Sequence, residues 1–346
     1  VTATGSTTDE PPCQVQQPTV TYVPPNLLFV LDKSGSMTGQ TPTTRWFELH
    51  SVVTSVVTQF QDRIQFGVEL FPDNSGGCNV SAGFDIPPVL NNLATILAGI
   101  PAADVTIPGD HLTPMQTGFV NAVNWINANG AGRTNAIVLL ADGAISDGRI
   151  LCRRCALQGN QLVAVNNVNS TVSQPNCPGN TVNGLTTAIT NARNAGVNTY
   201  VVGIDIPPTN NDQVVGGITV QFPGLDSIQG EMNGYAVAGG VPGPGGGFYN
   251  TQDVGALQTA FETIVDDVVS CTIDLSDPPP FPDLTEVEVG GTSYPFNPTL
   301  DCATEDGWRY LLDGMGEITG IELCGAACDG FKVSLTADVE YFCTAG

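Results

Sequence analysis

Two uninterrupted apolar runs, each ending at an aspartate, constrain this chain more than any other feature. Leu27-Leu28-Phe29-Val30-Leu31 stops at Asp32, and Ala136-Ile137-Val138-Leu139-Leu140-Ala141 stops at Asp142. A strand that is apolar at every successive position has no face left for water, so it is buried on both sides, as strands of parallel sheets are. Parallel neighbours need long crossovers, and the intervening sequence is patterned for helices. Over 44–61, Trp46, Leu49, Val53, Val56, Val57 and Phe60 fall on one stripe at helical spacing. The same reading predicts helices around 90–100 and over 115–129, 181–195 and 253–269, with strands at 64–71, 198–204 and 248–250. Residues 84–89 suit only an edge strand, because Pro87-Pro88 lacks ladder donors. The expectation for 26–270 is an α/β fold: a doubly wound, mostly parallel sheet with helices on both faces. Ligands of such sheets sit outside the carboxyl ends of the strands, where Asp32 and Asp142 both lie.

The flanking regions read differently. Residues 1–25 form a polar, Pro-rich arm without periodicity. After Cys271 the period changes to two. Residues 285–289 and 292–296 flank Gly290-Gly291 as a hairpin, and 308–312, 317–323 and 332–342 are further strand candidates. Residues 271–346, opening near Pro278-Pro279-Pro280, are therefore expected to be a small disulfide-rich β-domain. The ten cysteines are Cys13, Cys78, Cys152, Cys155, Cys177, Cys271, Cys302, Cys324, Cys328 and Cys343. Cys152-x-x-Cys155 has zinc-ligand spacing, but a second such pair is missing and the only histidines are His50 and His111. Disulfides in an oxidising compartment are the better reading, with the pairing left open.

Charge narrows the partners. Against 34 acidic residues stand 10 basic ones, and the only basic cluster is Arg149, Arg153 and Arg154. Phosphate neutralisation needs more than that, so nucleic acid and anionic lipid are poor candidates as partners. No apolar run is long enough to span a bilayer. The chain opens on Val with no apolar leader core behind it, which suits a processed, exported protein. The expected location is secreted, extracellular or at the cell surface. Asn79-Val80-Ser81 and Asn169-Ser170-Thr171 are glycosylation sequons if the source is a eukaryote. The run from Gly243 to Gly247 opens no helix and is not a phosphate loop.

Three pieces of sequence then converge on one edge. Asp32-Lys33-Ser34-Gly35-Ser36 follows the first buried strand directly, Thr113-Pro114 precedes a helix, and Asp142-Gly143 closes the second buried strand. In this pattern the chain resembles the von Willebrand factor A and integrin I-domain family, whose metal-ion-dependent adhesion site has the same three parts. The resemblance covers about 26–270. By position it implies that Asp32, Ser34, Ser36, Thr113 and Asp142 hold a divalent cation, with Mg²⁺ first and Mn²⁺ or Ca²⁺ as alternatives. Two positions depart from the pattern: His111-Leu112 stands where glycines are common, and Ala141 where a hydroxyl is common. The Pro-Pro-Asn entry to the first strand and the Cys-rich tail with Gly307-Trp308 also look like secreted bacterial proteins carrying this domain.

The chemistry suits such a site. Hard cations take oxygen ligands at octahedral positions. With three neutral hydroxyls, only two carboxylates supply charge, so the ion stays electron-poor and open to an outside oxygen. The bland alternative is that Asp32 and Asp142 cap strand ends while Ser34 and Ser36 serve the turn. Another is a bound ion with only a structural role. His111 reads as a solvated loop residue rather than a ligand. The long segment 143–180 must rise beside Asp142, as a partner surface, a cover or mere decoration.

The resemblance thus implies an extracellular binding module, not an enzyme, that captures a partner's Asp or Glu through the cation. It further implies that the last helix, which runs into Cys271, relays occupancy to the tail. The second expectation is a structural subunit of a secreted filament or surface layer, with self-assembly through the arm and the β-domain. A metal-dependent hydrolase would need a base or a second metal that the sequence does not place beside Asp32.

Overall fold

The structure is a computed structural model. It describes residues 22–38, 43–143, 145–147, 176–206, 228–269, 271–275, 278–302, 304–334 and 336–341, and the backbone of short strands at 150–152, 155–158, 161–164, 171–173, 213–215 and 218–220. The arm before Tyr22 and the cluster Arg149, Arg153 and Arg154 lie outside the described residues. The chain divides into two compact units, Pro24–Val268 and Val1–Val23 with Val269–Gly346.

In the larger unit β1 (Asn26–Asp32) leads to α1 (Arg45–Phe60) and β2 (Gln65–Phe71). Then come β3 (Ile86–Val89), α2 (Leu93–Gly99), α3 (Met115–Asn129) and β4 (Asn135–Ala141). The long loop after β4 contains β5 (Ile150–Cys152), β6 (Cys155–Gln158), β7 (Gln161–Ala164) and β8 (Thr171–Ser173), with β5 paired to β8 and β6 to β7. After α4 (Val182–Asn194) and β9 (Asn198–Ile204), a small ribbon of β10 (Gln213–Val215) and β11 (Ile218–Val220) precedes α5 (Ile228–Gly239). The unit closes with β12 (Tyr249–Thr251) and α6 (Val254–Val268).

Six strands form one sheet in the order β12-β9-β4-β1-β2-β3, parallel except for β3. From β1 the chain winds outward to β2 and β3, then returns to β4 and winds the other way. The winding therefore reverses between β1 and β4, the place where such sheets open a ligand crevice. Side chains of β1 alternate between two cores, as a twofold period requires. Leu28 and Val30 pack with Phe119 of α3, Leu139 of β4 and Val201 of β9. On the opposite face Phe29 stacks on Phe66 and meets Phe261 of α6 at 5.3 Å between ring centroids. Each such buried side chain stabilises the fold by about 1.5–3 kcal/mol, so the sheet's centre is the most rigid support available to a site.

Two helices depart from expectation. α5 escaped the sequence reading because two glycines lie inside it and no polar stripe marks its exposed side; it buries Met232, Tyr235 and Ala236 against the sheet. The second lies in the tail unit. There β13 (Thr272–Asp274), β14 (Thr285–Val289), β15 (Thr292–Tyr294), β16 (Gly307–Leu312), β17 (Ile318–Cys324) and β18 (Ala337–Tyr341) form two antiparallel sheets, β13-β17-β16 and β15-β14-β18. The β14–β15 hairpin turns on Gly290 (φ 59°) and Gly291 (φ 81°), a left-handed pair that only glycine adopts freely. The segment expected as a strand over 332–342 is instead the end of α7 (Ala326–Ser334) followed by β18. Gly325 at φ 56° ends β17, Asp306 Oδ1 accepts from the Ala326 N–H at 2.7 Å, and Ala327 and Phe331 fall on the buried face four residues apart. Four-residue spacing of buried groups is a helical signal, and it overrode the alternation read further on. The tail is thus mixed α and β. Tyr22 packs edge-on against Phe331 within it.

Three disulfides join described residues: Cys78–Cys177 in the larger unit, and Cys271–Cys328 and Cys302–Cys324 in the tail. The side chains of Cys13, Cys152, Cys155 and Cys343 lie outside the described residues. Among the described residues no helix is long and apolar enough to cross a membrane.

Candidate metal centre

The site grows out of the parting of two strands. β1 pairs with β2 through Asp32 opposite Phe71, but its ladder with β4 ends one residue earlier at Leu31 opposite Leu140. Beyond that point β1 and β4 separate, and Asp32 and Asp142 face the gap from either side. Neither is a surface group: Asp32 is fully buried, and the Asp142 side chain is 1% exposed.

Hydrogen bonds connect four of the five expected residues. Asp32 Oδ1 accepts from the Ser34 N–H at 2.7 Å. Ser34 Oγ and Ser36 Oγ lie 3.0 Å apart, and Ser36 Oγ donates to Asp142 Oδ1 at 2.8 Å. Thr113 sits in the adjoining loop, tied to the chain just after Asp142. Its N–H donates to Ser146 Oγ at 3.0 Å and its carbonyl accepts from the Ser146 N–H at 3.1 Å. That loop is in turn pinned to the first one, since the Gly35 N–H donates to the His111 carbonyl at 2.9 Å. The glycine between the two serines is a steric necessity. A Cβ on Gly35 would lie 2.8 Å from Gly109 Cα and 2.9 Å from the Pro108 carbonyl oxygen.

One atom stands out. Asp32 Oδ2 is buried and has no hydrogen-bond partner among the described residues. A buried carboxylate oxygen without a donor costs several kcal/mol unless it is protonated or meets a cation. Burial raises the Asp32 pKa well above the usual carboxylate range, and the charge of Asp142 raises it further. Burial also raises Asp142, against the lowering effects of Arg45 and Ser36. A divalent cation held between them would relieve both carboxyls at once. Among the described residues no three His, Cys, Asp or Glu side chains gather as a metal-binding group. That is the expected result for a donor set in which three of five members are hydroxyls. The set is oxygen-only, which fits a hard cation and not a thiophilic one.

Sequence reasoning missed two residues here. Arg45 begins α1, where Thr44 caps the helix by accepting from the Phe47 N–H at 3.0 Å. Its Nη1 donates to Asp142 Oδ2 and its Nη2 to Asp205 Oδ2, both at 2.8 Å. An arginine in the first turn opposes the helix dipole, and two carboxylates are what offset that. Asp205 follows β9 in a left-handed conformation, φ 48°. A lone basic residue directly after a capping Thr, in a chain so poor in basic residues, was the available signal.

Two neighbours turn away from the gap. Lys33 is 3% exposed and donates to the Asp73 carbonyl at 2.9 Å and to Asn74 Oδ1 at 3.0 Å, beyond the end of β2. Burial lowers its pKa while Asp73 and Asp85 act to raise it. His111, expected to be solvated, is buried instead; its ring fills the space over Gly76, where a Cβ would come within 2.8 Å. Together they line a cavity of about 300 Å³ with Ile100, Val105 and Ile107. The loop expected over 143–180 is largely outside the described residues, but Cys177 fastens its end to Cys78 in the loop after β2.

No family profile and no curated protein matches the sequence. Solved structures align with this chain at low identity and with TM-scores below 0.5. The pilus adhesin SpaC from Lactobacillus rhamnosus GG is 13% identical with a TM-score of 0.48, over 92% of this chain and 38% of its own. This chain therefore spans less than two fifths of the adhesin's length. The SpRpn10 VWA domain is 10% identical with a TM-score of 0.41, over 71% of this chain and 95% of its own. Proximal thread matrix protein 1 from the mussel byssus is 16% identical with a TM-score of 0.41, over 72% of this chain and 49% of its own. A further structure of that mussel protein has a zinc-occupied MIDAS motif. The larger unit has the doubly wound sheet, with the Asp-x-Ser-x-Ser loop at the point of reversal, that the sequence resemblance implies.

Proposed function

We propose that this protein is an extracellular binding module that holds a divalent cation, Mg²⁺ by preference, between Asp32, Ser34, Ser36, Thr113 and Asp142, and uses it to capture an acidic side chain of a partner protein. The observation that carries this reading is the buried Asp32 Oδ2, without a hydrogen-bond partner among the described residues, beside a second buried carboxyl and two serine hydroxyls at the point where the sheet's winding reverses. Two carboxylates balance the charge of one divalent ion, and the hydroxyls add none. The ion keeps its appetite for an anionic oxygen, and a Glu or Asp of another chain supplies it. We read the role as binding rather than catalysis, since the groups of the set bonded to one another here among the described residues are carboxyls and hydroxyls. Disulfides joining described residues in both units fit an oxidising, extracellular setting.

Calorimetric titration of the full chain with Mg²⁺, set beside Asp32→Ala, tests the cation. Binding to peptides containing Glu or Asp, against Gln or Asn counterparts, in Mg²⁺ and in EDTA, tests the capture. Equal binding under all conditions would refute it. A second reading, a subunit of a secreted filament, is favoured by large apolar side chains on the tail unit: Leu312 is 60%, Val333 78% and Met315 85% exposed. Electron microscopy of the purified protein separates the two, since isolated monomers at high concentration count against assembly.

A further inference from the structure

The two carboxylates of the site are each half committed before any cation arrives. Asp32 presents Oδ1 to the Ser34 N–H at 2.7 Å, leaving only Oδ2. Asp142 presents Oδ2 to Arg45 Nη1 at 2.8 Å, leaving Oδ1, the oxygen that also accepts from Ser36. Arg45 is itself held on its other side. Its Nη2 lies 2.8 Å from Asp205 Oδ2, its Nε donates to the same oxygen at 3.3 Å, and Nη1 also reaches the Ser36 carbonyl at 3.4 Å. A guanidinium fixed at both ends of its fork does not rotate away readily, and its side chain is only 16% exposed.

We infer that Arg45, braced by Asp205, is a positioning residue that makes Asp142 a one-oxygen ligand and thereby selects a small octahedral cation over Ca²⁺. This rests on the reading under Proposed function. Ca²⁺ reaches its six to eight ligands largely by taking carboxylates two oxygens at a time, whereas Mg²⁺ is satisfied by single oxygens at octahedral angles. A backbone N–H closes one oxygen of Asp32 and Arg45 closes one oxygen of Asp142, so neither carboxylate offers a bidentate edge. The backbone bond is fixed by the turn. The Arg45 bond is the adjustable one.

Charge acts on both cations alike and geometry on one of them, which makes the role testable. Taking away the Arg45 charge strengthens the hold on every divalent cation alike. Freeing Asp142 Oδ2 helps Ca²⁺ alone. The readout is therefore the ratio of Ca²⁺ to Mg²⁺ affinity, measured by calorimetry on the full chain for wild type, Arg45→Met, Arg45→Lys and Asp205→Asn. For Arg45→Met the ratio is expected to move about tenfold toward Ca²⁺, the scale on which outer partners of metal ligands act. Arg45→Lys keeps the charge but loses the fork and should fall between, as should Asp205→Asn, which unbraces the fork. Circular dichroism establishes that each variant is folded, and the two milder variants carry the test if Arg45→Met is not. A ratio that stays constant across the folded variants, with both affinities moving together, overturns the role of Arg45 and leaves the cation site standing. A wild-type chain that takes up neither cation overturns the site and this inference with it.

Discussion

Among the buried carboxyl groups of the larger unit, Glu69 and Asp32 differ in how far the protein answers them. Glu69 lies in the middle of β2 and is fully buried. Its Oε1 accepts from Asn121 Nδ2 at 2.7 Å and its Oε2 from the Asp85 N–H at 3.0 Å. Both oxygens are answered by the protein, and the group ties β2 to α3 and to the turn before β3. Asp32, at the end of β1, is equally buried, yet only one of its oxygens has a hydrogen-bond partner among the described residues. A satisfied buried acid belongs to the structure. An unsatisfied one suits the cation proposed above.

Breaking each group in turn separates these roles. Replacing Asp32 by Ala should weaken Mg²⁺ binding roughly 100-fold or more in a calorimetric titration, while the metal-free protein melts at or above the wild-type temperature because an uncompensated buried acid has gone. Replacing Glu69 by Ala should do the reverse. It should cost about 3 kcal/mol in urea unfolding, by orphaning the Asp85 N–H and opening a cavity, with Mg²⁺ affinity held. Next in size is the effect of the ion itself. At a free Mg²⁺ concentration one hundred times Kd, wild type and Glu69→Gln should each gain about 2.7 kcal/mol of stability, and Asp32→Ala none.

The pH dependence sharpens the contrast. Burial pushes the Glu69 pKa up to about 8 from 4.5, so the folded protein keeps a proton that the unfolded chain releases first. Stability from this group is complete below pH 4.5 and is lost as pH rises toward 8. Thermal melts at saturating Mg²⁺, where Asp32 is held ionised, should fall across that window in wild type and flatten in Glu69→Gln. Asp32 has the opposite consequence for binding. Its pKa is raised as well, so acidification should weaken Mg²⁺ uptake by protonating the oxygen the ion needs. Smallest of all, Ser36→Ala removes one hydroxyl and the link to Asp142, and should weaken Mg²⁺ by about tenfold without moving the pH window of Glu69.

The frame of this molecule was legible because its central strands are apolar at nearly every position. β1, β4, β9 and α3 lie within a residue of where periodicity put them. Asp32, Ser34, Ser36 and Asp142 were legible because strand ends are easy to find, and the structure bonds them to one another. What stayed hidden depends on partners distant in sequence. Arg45 meets Asp142 across 97 residues and Asp205 across 160, and no local pattern announces either pairing. Glu69 did leave a trace, as a lone charge inside the run Phe66–Phe71, but whether such a charge is answered depends on Asn121 and Asp85. The start of 332–342 was misread for the opposite reason. The alternation is genuine in β18, but the burial of Ala327 and Phe331 carries α7 on to Ser334.

The Cys78–Cys177 bond carries a further consequence. It joins the loop after β2 to the chain arriving at α4, and Cys177 N–H also donates to the Ser146 carbonyl at 2.9 Å, beside the strand end that carries Asp142. These two bonds fix the described residues Cys78, Ser146 and Cys177 before any encounter. Under the proposed function, a partner docking beside them would meet backbone with little freedom left to lose, and its affinity would read out in how slowly it leaves.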